Sequence, residues 1–427
     1  MLSKVNAIAV AAVMATGTGA GLTAQPATAI AVPCSAQALA SAVASAASGT
    51  TLSLAAGCVY NLTAALPEVS QVLTITGNHA TLQRSHAAGT AAFTILTVAG
   101  PGILTVNELN FRNGDGAIAV IDQGQLTVNG GTFTGNTAAD GGAIYSNANP
   151  YAPQINDATF VRNTATDAGG AIYNYSPATS MSVNGSVFTG NKAGSGGAIL
   201  EFGVGGVITD STFRDNTAEG GGALCLSENG GETFIDVVIQ DNSASGAGGG
   251  ILADGSGVGG AFLDDSTVSG NHADEGGGIY DGSGELSEVT GSRIQGNSAA
   301  YGGGIYNDIG AVFSLMGSTV SGNRAAADGG GIYDATGGAD SLTTSTLSGN
   351  HAAGYGGGIY NQGYSSFWSY PSSLAAAGTQ IIRNRASGGG GGIYDGPDMI
   401  VMLTNSQVTG NKPDNCEPPG SITGCTG

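Results

Sequence analysis

Charge is the scarcest commodity in this sequence. Asp, Glu, Lys and Arg make up 10% of the 427 residues, with 11 Lys or Arg against 31 Asp or Glu. A formal net charge of -20 excludes the basic footprint that a phosphate backbone requires, so nucleic acid is not an expected partner. Anionic lipid is disfavoured for the same reason, and the acidity argues mainly for solubility. Sustained 3.6-residue apolar periodicity is missing, and 76 glycines would penalise helices, so a helical domain is excluded. Those glycines do not follow the collagen period, and 41% hydrophobic residues is too apolar for a disordered chain. Long apolar runs are also wanting, so no integral membrane segment is expected once the leader is removed. Neither a C-x-x-C pair nor a grouping of His79, His86, His272 and His351 with the cysteines occurs, so no metal centre or cofactor is expected.

The N-terminus reads as a secretory leader. Lys4 is the sole charge before the short apolar stretch "AIAVAAVMA" (7–15), and Ala27 and Ala29 supply an A-x-A cleavage pattern, which sets residues 1–29 as a signal peptide. The expected location is therefore extracellular, either released or associated with the cell surface. Pairing is the default for cysteines of a secreted chain. Proximity suggests Cys34 with Cys58 and Cys416 with Cys425, which leaves Cys225 as a packed thiol.

What the chain has in abundance is a repeat. Aligning the Asn of "STVSGN" and its relatives gives Asn136, Asn163, Asn191, Asn216, Asn242, Asn271, Asn297, Asn323, Asn350, Asn384 and Asn411. Successive spacings are 25 to 29 residues, with one of 34, and Asn113 reads as an earlier, degraded member. An apolar residue stands three before each Asn (Phe133, Phe160, Phe188) and another eight before it (Val128, Ile155, Val183). Downstream come Gly-Gly, a small residue and an aliphatic such as Ile144, Ile172 or Ile199. Such short runs, bounded by Gly, Asn, Asp and Ser, predict three short strands per repeat. The odd spacing between the two upstream apolar columns requires a bend if both are to face inward, because side chains alternate along a strand.

One such coil buries three large residues, worth about 1.5–3 kcal/mol each. Ordering its backbone costs several times that. Stacking removes the deficit by pairing backbones in parallel and joining the cores. The fold class expected is therefore all-β, a single-stranded parallel β-helix of about a dozen coils. The repeated Asn is assigned to a bend with left-handed backbone geometry, with copies hydrogen-bonded along the rod. Residues 30–100 are expected to form the N-terminal cap and first coils, 101–411 the repeats, and 412–427 a C-terminal cap loop. "SAQALASAVASAA" (35–47) reads as a capping helix with Ser35 as N-cap and Leu39 and Val43 on its inner face.

The paired pattern F-x-x-N and G-G-A-I occurs as "FTGN…GGAI" (133–144), "FVRN…GGAI" (160–172), "FTGN…GGAI" (188–199) and "FRDN…GGAL" (213–224). It resembles the repeats of chlamydial polymorphic outer membrane proteins, and the whole looks most like secreted, actinobacterial-type right-handed β-helix repeat proteins. That resemblance implies surface display and adhesion. It also implies a membrane-inserted β-barrel, for which the residues after Asn411 leave no room, so release or non-covalent retention is expected instead.

No motif for polysaccharide cleavage assembles. "NGD" (113–115) and Asp264-Asp265 are far apart, G-H-G and R-x-K are missing, and Arg383 and Arg385 lack an acidic cluster in register. No catalytic residue is assigned, and His272 and His351 read as ordinary turn residues. Acids before the glycine cluster (Asp140, Asp167, Glu219, Glu275, Asp328) read as solvated turns, with weak Ca²⁺ binding as the alternative. Tyrosines after the core aliphatic, from Tyr145 to Tyr394, read as an outward stack that packs or meets sugar rings. The departures from the repeat carry the candidate ligand site. The extra residues of 361–378 hold Tyr364, Phe367, Trp368 and Tyr370, and the same bend elsewhere adds Tyr151 and Tyr175. Insertions in a solenoid gather on one face, often the binding face. The reading preferred is thus a non-catalytic protein that binds carbohydrate or protein at a surface. A polysaccharide lyase or glycoside hydrolase on the same scaffold, and a purely structural exoprotein, are the alternatives.

Overall fold

The computed structural model describes residues 29–203, 205–227, 231–255, 260–282, 286–308, 310–335, 339–362, 373–397 and 399–425. The expected leader therefore lies outside the described residues, apart from Ala29. The chain is an all-β, right-handed parallel solenoid of about 13 turns with one short helix near its N-terminus. Three long sheets of 15, 14 and 13 strands run along the rod. The first carries the apolar residue eight before each Asn, the second the one three before, and the third the aliphatic after the glycines. Register is strict along each: Val128 pairs with Ile155 and then Val183, Phe133 with Phe160 and then Phe188, Ile144 with Ile172 and then Ile199.

The inner columns form one continuous core. Phe111, Phe133, Phe160, Phe188 and Phe213 are fully buried and stacked, with centroids 4.6–4.9 Å apart. That spacing is the strand separation of the sheet itself, so identical residues in register stack with no backbone distortion. Beyond Phe213 the column continues as Ile239, Val268 and Ile294, which keeps the cylinder filled.

The bends were placed one residue off by the sequence. The repeated Asn is not left-handed. The residue before it is, as in Gly135 (φ 61), Arg162 (φ 50), Asp215 (φ 57) and Arg383 (φ 56). Asn113 (φ 58) belongs to this preceding position, and Gly114 takes the place of the Asn in that coil. The Gly-Gly pair has a steric cause: a Cβ on Gly141 would lie 2.2 Å from the Ile144 carbonyl oxygen, and one on Gly142 would lie 2.3 Å from that of Gly170 in the next coil. A fourth, discontinuous set of short strands, such as Ser298–Ala299 and Arg324–Ala325, follows the Asn. The three-strand expectation did not include it.

The N-terminal end is covered and the C-terminal end partly so, with Leu403 and Val408 of the last coil half-buried. The helix Ala36–Ser45 is capped by Ser35, whose hydroxyl accepts from the Ala38 N–H at 3.4 Å, and it buries Leu39 and Val43. Disulfides Cys34–Cys58 and Cys416–Cys425 are both formed. The second closes a loop that sets Ile422 into the core at 2% exposure.

Candidate functional site

The Asn column is a hydrogen-bond ladder sealed inside the rod. Asn163 is typical. Its Nδ2 donates to Asn191 Oδ1 (3.0 Å) and to the Phe133 carbonyl (3.0 Å), while its Oδ1 accepts from the Asn136 N–H (3.1 Å) and Nδ2 (3.0 Å). All four amide hydrogen-bonding positions are used, which is why a buried polar side chain is tolerated eleven times over. Asn415 of the C-terminal loop ends the series by accepting from Asn411. A second ladder, which sequence reasoning missed, is made of hydroxyls five residues before the Asn. Ser318 is one rung: its hydroxyl accepts from the Ser292 N–H (3.0 Å) and donates to the Met316 carbonyl (3.0 Å). Its signal was the leading Ser of "STVSGN". Both ladders are structural.

A third polar column was also missed. In "IYD" and "IYN" the aliphatic faces in, the Tyr faces out, and alternation returns the third residue to the interior. Ser146, Asn174, Glu201, Asp281, Asn307, Asp334 and Asn361 are accordingly buried, at the corner facing the first sheet, which adds buried Glu232 and Asp340. Asn174 Nδ2 donates to both oxygens of Glu201 (2.9 and 3.1 Å), and the Gly206 N–H donates to Glu232 Oε2 (2.7 Å). Burial, reinforced by the Glu232 charge, pushes Glu201 well above the usual carboxylate range. Burial alone lifts Glu232 to about 8. Asp340, bonded by Asn307 and by the Phe313 N–H, is likewise raised by burial and then by Asp334. This corner is closed to solvent. Among the described residues no group of three or more His, Cys, Asp or Glu could hold a metal ion.

The outward tyrosines stack as expected. Tyr280, Tyr306, Tyr333, Tyr360 and Tyr394 lie 4.8–5.1 Å apart in near-parallel planes. Their ring faces are therefore spent on one another, and the column offers ligands only edges and hydroxyls. Tyr280 donates to Asp308 Oδ2 at 2.6 Å. Burial, then neighbouring carboxylates or tyrosines, raises the phenols, with Tyr360 at about 12. Cys225, in the same column between Leu200 and Leu252, is a buried free thiol raised to about 12 by burial and Asp254.

Of the candidate ligand residues, Tyr364, Phe367, Trp368 and Tyr370 lie outside the described residues. Tyr151 is 39% exposed, on a small turn closed by an Ala148–Tyr151 bridge. Tyr175 is half-buried and stacked on Phe202 at 4.7 Å, which leaves it little free face.

A concavity lies elsewhere, on the face after the Asn. An open groove of about 1000 Å³ crosses seven successive coils, from Thr164 to Ala326. Its floor is the Ala column two residues after the Asn (Ala193, Ala218, Ala244, Ala273). Its walls are Thr, Ser, Lys and His, with Glu219 and Asp274 as carboxylates. His272 is thus a groove-wall residue on an extended segment rather than a turn residue, and His351 occupies the equivalent strand position two coils beyond Ser298. Six strand steps make the groove roughly 30 Å long.

Residues 130–147, 157–175, 185–200, 236–254, 317–335 and 344–362 match the family model of the Chlamydia polymorphic membrane protein repeat. Each match runs from the bend before the second-sheet strand, through the ladder Asn and the glycines, into the third sheet. The chain thus carries repeats of this type on a β-helix. Among solved structures, a point mutant of the periplasmic alginate epimerase AlgG is similar, with 11% identity over 73% of this chain and 76% of that one and a TM-score of 0.49. No curated protein matches. No helix among the described residues is long and apolar enough to cross a membrane.

Proposed function

We propose that this protein is a secreted, non-catalytic β-solenoid that binds an extended polymer, carbohydrate or protein, in the extracellular space or at a cell surface. The observation that carries this reading is the groove: a straight trough across seven coils, lined by in-register small and polar side chains, fits a chain-like ligand better than a compact one. The repeat matches and two disulfides are compatible with an extracellular setting. Weak Ca²⁺ binding along the acids of the adjoining bend, Asp140, Asp167, Glu219, Glu275 and Asp328, belongs to the same proposal.

A glycan array and a panel of surface proteins, probed with the full chain, test it. Thr217→Trp with Ser243→Trp fills the groove, while replacing Tyr364, Phe367, Trp368 and Tyr370 by Ser removes the aromatic loop. Binding lost in the first variant assigns the groove, and binding lost only in the second moves the site to the loop. Wild-type protein that captures nothing on either surface refutes the proposal.

One observation favours a second reading, a polysaccharide-active enzyme. Glu219 and Asp274 both border the groove, and their backbones stand two coils apart, about 10 Å along the axis, just above the roughly 6.5–9.5 Å that separates the carboxyls of inverting glycosidases. Reducing-end and unsaturated-product assays across polysaccharides decide it. Turnover abolished by Glu219→Gln or Asp274→Asn would replace the binding reading.

A further inference from the structure

The few cations of this chain are unevenly placed. The residue directly after each ladder Asn faces outward, between the buried Asn and the buried floor Ala. Towards the C-terminus this column reads His272, Ser298, Arg324, His351, Arg385 and Lys412, and backbone pairing joins them in that order. Its last four rungs are all Arg, His or Lys, one strand spacing of about 4.8 Å apart. Three of the 11 Lys and Arg in the whole chain therefore stand within four consecutive rungs. Arg324, Arg385 and Lys412 are exposed and His351 is half-buried.

Among the described residues no carboxylate lies within ion-pair distance of them. The sole ion pair among the described residues is His79–Glu108, at the other end of the rod. The acids nearest in sequence are engaged with backbone: Asp328 accepts from the Tyr355 N–H and Asp414 from the Gly390 N–H, each at 2.7 Å. Arg385 and Lys412 are directly paired cations, and like charges opposite one another on paired strands are unfavourable. A chain of net charge -20 that lines up its scarce cations this way leaves that repulsion to be relieved from outside.

We infer that this ladder is the binding line for an anionic polysaccharide, a linear glycan carrying a carboxylate on each sugar. The inference rests on the binding reading above and adds the ligand's charge, because the ladder continues the column that walls the groove. A linear polyanion laid along the column meets Arg324, His351, Arg385 and Lys412 in turn. The Arg forks take carboxylates bidentately. Single-stranded nucleic acid fits less well, since the ladder offers no aromatic faces for bases.

The test uses the full chain with polygalacturonate, a neutral galactan and a single-stranded oligonucleotide, in about 0.1 M salt, where the Debye length of ~10 Å screens the distant acids but not contacts. Polygalacturonate binds. The triple variant Arg324→Gln, Arg385→Gln, Lys412→Gln weakens it at least tenfold with its melting temperature unchanged or raised. A control of equal charge, Arg112→Gln, Arg214→Gln, Arg293→Gln, leaves binding within twofold. Equal losses in both triples, or oligonucleotide bound as tightly as polygalacturonate, overturn the inference. So does wild-type protein that ignores polygalacturonate. If galactan binding is lost on filling the groove with Thr217→Trp and Ser243→Trp while the ladder triple changes nothing, the groove reading stands and the ladder falls.

Discussion

Substituting Glu232 should convert a pH-dependent fold into one that is less so. Its side chain is 1% exposed, Oε2 accepts from the Gly206 N–H, and Oε1 has no partner. Burial moves the carboxyl from its ordinary 4.5 to about 8. Below about pH 4.5 folded and unfolded chains both hold the proton. Between 4.5 and 8 only the folded chain does, so stability is fully present at low pH and falls by about 1.4 kcal/mol per unit as pH rises. Above about 8 the loss is complete, on the order of 4–5 kcal/mol for this group. Glu201 adds to the same trend, since the two carboxyls titrate as a pair. At about 2.1 cal/mol/K per residue, 427 residues give roughly 0.9 kcal/mol/K, so the loss corresponds to about 5 °C in Tm. Glu232→Gln keeps the acceptor for Gly206 and cannot ionise. The assay is Tm by calorimetry from pH 5 to pH 9. The variant should match wild type within about 1 °C at pH 5 and exceed it by about 5 °C at pH 9. Parallel curves would refute the reasoning and place the carboxyl in contact with solvent.

Two other expectations concern the scaffold. Asn271→Ala strips acceptors from the N–H and Nδ2 of Asn242 and a donor from the Ile239 carbonyl. At about 1–3 kcal/mol per stranded group, denaturant unfolding should show a loss of roughly 3–6 kcal/mol, with hydrogen exchange rising first in the two flanking coils. Reducing both disulfides, whose partners are 24 and 9 residues apart, removes about 3.5 and 2.6 kcal/mol by the chain-entropy model. Because coils contact only their neighbours, hydrogen exchange should rise in both end regions while coils near Phe188 keep their protection. A uniform rise would mean that the disulfides act on the rod as a whole rather than on its ends.

How much of this was legible in advance follows from what a solenoid repeats. A column that meets its own copy every coil is held to one residue type by stacking, so "FTGN" and "GGAI" announce the Phe stack and the tight bend without any coordinates. The ladder was legible as a column but not in its geometry. An Asn before a glycine-rich stretch suggests a turn, and only the backbone shows that the preceding residue, Gly135 or Arg162, takes the left-handed bend and lets the Asn fold inward. The interior acids were hidden by chemistry rather than pattern. Asp281 and Asp334 sit at even spacing from Ile279 and Ile332, which by alternation places them inside, but a carboxylate after an aromatic is read as solvated because charge is costly to bury. Asp340 shows how the cost is lowered there, since burial raises its carboxyl while Asn307 and the Phe313 N–H donate to it.

The proposed binding face is the opposite case. The position after the Asn is free of packing constraints, so its residues vary as Thr, Lys, Ser, His and Arg and look like noise along the chain. Register turns that variation into a line, because residues about 27 apart in sequence become neighbours about 4.8 Å apart in space. The aromatic insertions draw attention first in a linear reading, being rare and contiguous. A surface assembled one residue per coil has no contiguous signature at all. In a parallel rod, then, a ligand site is to be sought in the column that the core leaves free, and here that column runs from the groove walls at Thr164 and His272 to the cations at Arg324, Arg385 and Lys412.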